Sequence, residues 1–171
     1  MKAVALLMIV AGLLAAGCEY QAPLTDEHKI PVDPAVLGLW ESVPDGDGSS
    51  DTNRERMIVL QFSATEYLVH YPTGKDGQYF RGYPMKIAGA PCVQVQLIGA
   101  ATGNVKKEDL KYHVVSYTLS NDELTLMTLN TAVVDKTLKD SAALRKAFEK
   151  NKDNKELFAN PGKFRKVPKG D

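Results

Sequence analysis

The sequence predicts a mainly β fold: a small antiparallel up-and-down barrel with one C-terminal helix and a short closing strand. Three observations carry this expectation. Between Leu37 and Leu129 the apolar residues recur in short runs with period-two alternation, separated by turn residues. The joints between these runs are too short to hold a helical crossover, so neighbouring strands pair antiparallel. Helical spacing enters only after Asn130. A sheet of that many strands, with one late helix to cover it, buries a face most economically by closing on itself.

The first strand is Leu37-Gly38-Leu39-Trp40-Glu41-Ser42-Val43, with Gly38, Trp40 and Ser42 on one face and the four alternate residues on the other. Pro44 ends it, and a polar loop holds Asp45, Asp47 and Asp51. Those carboxylates resemble a calcium loop in part. Arg56 stands where a bidentate acid is needed, so residues 44–56 read as an ordinary loop or lid. Met57–Phe62, apolar on nearly every residue and so expected to be covered on both faces over much of its length, pairs with Glu66–Tyr71 across Ser63-Ala64-Thr65. Gln78–Ile87 and Val93–Ile98 follow, then a polar connection through Leu110. Tyr112–Leu119 and Glu123–Leu129 make a tight hairpin across Ser120-Asn121-Asp122. Ala143, Leu144, Ala147 and Phe148 mark a helix over 141–151, capped by Asp140 or Ser141. Asn160-Pro161-Gly162 reads as a break before a last strand at Lys163–Val167.

The N-terminus is of another kind. Lys2, an apolar run from Ala3 to Leu14 and the small residues that follow have the layout of a secretory signal, and the run is too short to span a bilayer as a helix. Leu14-Ala15-Ala16-Gly17-Cys18 resembles the lipobox of bacterial lipoproteins. That resemblance implies cleavage after residue 17, lipidation of Cys18 and attachment to the cell membrane through the lipid anchor. In a Gram-negative cell, Glu19 rather than Asp after the cysteine implies an outer-membrane address facing the periplasm. Residues 18–36 then read as the lipidated cysteine and a flexible tether, because Pro23, Pro31 and Pro34 disfavour helix and few large apolar residues are available to pack. Extended at ~3.1 Å per residue, such a tether reaches ~55 Å. Residues 37–171 form the barrel domain.

Gly38-Leu39-Trp40 resembles the Gly-x-Trp signature of the lipocalins and their calycin relatives, and the order of strands, late helix and final strand is similar too. The resemblance implies that Trp40 packs across the barrel floor against an arginine from near the end of the barrel. Arg165 holds the matching position.

Composition places the chain among ordinary globular proteins, at 44% hydrophobic and 25% charged residues. Zero formal net charge hides an asymmetry. Residues 19–135 carry nine Lys/Arg against 16 Asp/Glu, whereas 136–171 carry 11 against five. The basic tail suggests weak contact with an anionic envelope surface. With Cys18 lipidated, Cys92 has no partner in the chain and reads as a buried thiol. His28, His70 and His113 lack metal-ligand spacing, and neither a Gly-x-Ser-x-Gly elbow nor a phosphate-cradling loop occurs. No enzyme activity, cofactor, metal or nucleic-acid partner is expected.

Tyr67, Tyr71, Tyr83 and Tyr117 are the candidate ligand-binding residues, since tyrosines inside a small barrel offer an apolar body and one hydroxyl. Gln94 and Gln96 alternate with valines and face either water or a polar cavity. Two functions compete: binding a small apolar or amphipathic ligand, or structural assembly work in the cell envelope with a filled barrel. The size of the interior void separates them.

Overall fold

The computed structural model describes residues 20–44, 54–87, 89–103, 105–106 and 111–168. Cys18 and the Asp45, Asp47, Asp51 loop lie outside them.

Eight antiparallel strands form a closed barrel in sequence order. They are β1 (Gly38–Ser42), β2 (Arg56–Ser63), β3 (Glu66–Tyr71), β4 (Gln78–Ile87), β5 (Ala90–Ala100), β6 (Tyr112–Ser120), β7 (Glu123–Leu129) and β8 (Phe158–Lys166). Closure is made by β1 against β8, in the register Trp40↔Lys166, Glu41↔Arg165 and Ser42↔Phe164. The alternation expected of β1 holds, and Trp40 is fully buried. Helix α1 (Ser141–Asn151) is capped by Asp140, whose carboxylate accepts from the Ala143 N–H at 2.8 Å.

β8 is longer than its sequence suggests. Asn160-Pro161-Gly162 does not break the chain. The strand passes through it beside a register shift between Leu126 and Thr128. Asn160 takes a left-handed backbone there, φ 55°, which an asparagine tolerates.

The larger correction concerns residues 20–36, expected to be a flexible tether. Tyr20, Leu24, Val32 and Val36 are all buried, and the segment is a strap: Tyr20 and Leu24 pack on the outside of the barrel, and Val32 and Val36 close its floor end against the interior core. The strap starts at β6, where Tyr20 and Tyr112 exchange backbone hydrogen bonds of 2.8 and 2.9 Å. It crosses β5 at Gln94, whose amide accepts from the Leu24 and Thr25 N–H groups and donates to the Thr25 carbonyl. His28 then stacks on Tyr83 of β4, ring centroids 3.6 Å apart. The Val32 N–H donates to the Ala64 carbonyl at 3.0 Å, and a 3-10 turn, Pro34–Val36, leads into β1. The prolines that exclude helix leave this extended chain free to follow the barrel wall.

Two apolar cores result. One fills the barrel around Trp40, Met57, Val59, Tyr71 and Phe164. The other lies outside it, where Tyr20 and Leu24 of the strap pack with Leu144 and Phe148 of α1 over Cys92 and Val114. Gln94 therefore faces neither water nor the interior. It is sealed under the strap with its hydrogen bonds satisfied, as a buried amide requires.

Candidate functional site

The candidate site is the barrel interior. Inward residues of β2 to β8 enclose a cavity of about 80 Å³, walled by Val59, Val69, Phe80, Val95, Val115 and Leu126 among others. Three of the four candidate tyrosines, Tyr67, Tyr71 and Tyr117, contribute to that wall. Tyr83 does not. It points outward from β4 and is covered by His28.

The tyrosine hydroxyls do not serve the cavity. Tyr67 Oη accepts from the Asp33 N–H of the strap at 2.6 Å and is also bonded by the Tyr117 hydroxyl. The Tyr71 hydroxyl donates to the Glu55 carboxylate. Each ring thus gives an apolar flank to the interior, while Tyr67 and Tyr71 turn their polar atoms to closing segments and Tyr117 bonds to Tyr67, which leaves the cavity surface wholly apolar. Burial raises all three phenols above their ordinary range, with the Glu55 carboxylate adding to the shift of Tyr71. Tyr117 is pushed up to about 12. None is poised to lose a proton near neutral pH.

Trp40 forms the floor. Its indole N–H donates to the Val36 carbonyl at 2.8 Å. The cation over it is not Arg165. Lys166, opposite Trp40 in the ladder, places Nζ 5.2 Å from the indole and donates to the Ala35 carbonyl at 2.8 Å. Arg165, one residue earlier on a strand, faces the other way and is exposed between Glu41 and Glu123. Gly38 is required here: its φ is +133°, and a Cβ would lie 3.3 Å from Lys166 Cε.

A polar cluster that the sequence did not suggest lies on the outer wall. Glu66, nearly buried, pairs with Arg81 at 2.8 Å and lies 3.4 Å from His28 Nδ1. Arg81 also sits over the Phe62 and Tyr83 rings. The cluster clamps the strap to β3 and β4. It holds no nucleophile beside a base, and no group of three metal-ligating side chains occurs among the described residues. Burial pushes the Cys92 thiol up to about 12, far from a reactive thiolate. A second, open cavity of about 410 Å³ lies between the strap and α1, bordered by Leu24, Ile87, Arg145 and Phe148.

No helix among the described residues is long and apolar enough to cross a membrane. Comparison with protein-family models, curated proteins and solved structures finds no match to this chain.

Proposed function

We propose that this chain is a non-enzymatic lipoprotein of the bacterial envelope, attached through Cys18, whose barrel is a filled scaffold for a working outer surface. The interior supports this over the ligand-binding alternative. Its cavity of about 80 Å³ falls well short of the ~300–1,000 Å³ of small-molecule sites. It is also smaller than the ~150 Å³ dry cavity that admits benzene. The inward hydroxyls are already engaged by the strap, by Glu55 and, for Tyr117, by Tyr67, so the polar group of an amphipathic ligand finds no partner there. The lipobox supports the anchor, and Glu19 supports an outer-membrane address facing the periplasm in a Gram-negative host.

Protein purified from its own host tests both halves. Labelled palmitate is expected in the wild type and absent from Cys18→Ser. Native mass spectrometry is expected to show the acylated chain with no further small molecule, and an apolar fluorescent probe such as N-phenylnaphthylamine should not bind saturably. A stoichiometric lipid released from the folded barrel would overturn the scaffold reading and restore Tyr67, Tyr71 and Tyr117 as ligand contacts. Palmitate retained on Cys18→Ser would overturn the attachment.

A further inference from the structure

The strap changes what an anchor at Cys18 does. A flexible tether would let the barrel float free of the bilayer, but Tyr20 is fixed. It is 1% exposed, exchanges two backbone hydrogen bonds with Tyr112, and donates its hydroxyl to the Val134 carbonyl at 2.8 Å. Cys18 is two residues away in sequence, a span of at most ~7 Å between Cα atoms. The headgroup layer of one leaflet is itself about 5–7 Å deep. An acylated Cys18 therefore leaves no room for a gap between bilayer and protein at Tyr20.

We infer that the side of the barrel carrying Tyr20, the start of β6 and α1 rests directly on the headgroups of the anchoring bilayer, with Lys146 and Lys150, opposite the packed face of α1, turned to anionic lipid. This rests on the Cys18 attachment proposed above. Charge and packing fit it. Leu144 and Phe148 pack α1 into the cluster that holds Tyr20. Ala142, Lys146 and Lys150 follow one another at four-residue spacing, and all are exposed. Arg145 is held by the Leu24 carbonyl and Asp26, and Lys152 by Glu149. Lys146 and Lys150 have no carboxylate partner among the described residues. The turn after Ser120 lies eight residue steps down β6 from Tyr112, ~26 Å along the strand, so it is farther from the anchor than Tyr20 and the start of β6 are.

The test uses the acylated full chain in vesicles containing phosphatidylglycerol and a headgroup nitroxide. Fluorophores are placed on Ala142→Cys or Ser120→Cys, both exposed sites, with buried Cys92 left unlabelled. Stronger quenching at 142 than at 120 is expected. Inserting ten Gly/Ser residues between Glu19 and Tyr20 should reduce quenching at 142 while palmitate is retained. Equal quenching at both sites, or no effect of the insertion, on a chain that carries palmitate would overturn the orientation and leave the anchor standing. A chain without palmitate would overturn both. For the lysines, the Cys18→Ser chain should bind the same vesicles at low salt and leave them near 0.3 M. Lys146→Glu with Lys150→Glu should weaken that binding at least 25-fold, roughly five-fold per lysine, at an unchanged melting temperature. Salt-independent binding, or no effect of the substitutions, would remove the lysines from the interface.

Discussion

Trp40 is the residue on which the most local structure depends. Its ring closes the barrel floor, its N–H holds the Val36 carbonyl, and Lys166 lies over it. Trp40→Ala should lower stability by ~3–5 kcal/mol, the range for emptying a buried aromatic site, read as a fall in the urea midpoint. Lys166→Met keeps the stem over the ring and loses a partly exposed cation and its exposed hydrogen bond to the Ala35 carbonyl, so it should cost about 1 kcal/mol, well below the loss at Trp40. Equal losses from the two would mean that the indole is held by its cation rather than by packing. The tyrosines set the alkaline limit. Tyr67, Tyr71 and Tyr117 have folded-state pKa values raised above the ordinary 10, Tyr117 to about 12. Their contribution is fully present below pH 10 and is lost as pH rises through the folded-state values. Tyrosinate absorbance from these three should therefore appear together with loss of far-UV circular dichroism. Its reversible appearance near pH 10 in an intact barrel would show that the rings are not buried as described.

At the scale of elements, Gln94 and the strap are the informative pair. Gln94→Leu leaves the Leu24 and Thr25 N–H groups and the Thr25 carbonyl without their partner, each such loss costing about 1–3 kcal/mol where water cannot enter. Amide exchange over 20–36 should quicken strongly while β2 and β3 stay protected. If the whole barrel loosens equally, the strap is not a separable element. The strands were legible because alternation is a local signal and each joint carries its own turn chemistry. The strap was not. Tyr20, Leu24, Val32 and Val36 are buried, but they are scattered among polar residues and prolines with no apolar run between them, so no local pattern marks the surface they fit. β8 was half legible for a similar reason: Asn160-Pro161-Gly162 reads as a break unless the bulge beside Thr128 is known. Arg165 was misassigned by a single position, which in a strand turns a side chain to the opposite face.

For the whole molecule, the barrel interior is nearly but not completely filled. Val95→Ile or Val115→Ile adds one methylene to the cavity wall without changing β-branching. Either should raise stability by about 0.5–1 kcal/mol in urea denaturation, as cavity filling does. A loss of more than ~1 kcal/mol would indicate overpacking and no usable void. Tyr67, Tyr71 and Tyr117 were legible as interior candidates from their places in expected strands, but so was Tyr83, which faces outward under His28. The engagement of the Tyr67 and Tyr71 hydroxyls by Asp33 and Glu55 was not legible, because those partners lie far from them in sequence. The outer core carries a consequence in time. Tyr20 meets Val134 across 114 residues, and Arg145 meets Leu24 across 121. Contacts that distant form late and slowly. The first residues of the domain to be synthesised are thus the last to settle, and a chain that stops at Leu129 lacks the helix that helps hold them. Such a chain should expose Cys92 to thiol reagents and residues 20–36 to proteases, and both should become protected only once synthesis has passed α1.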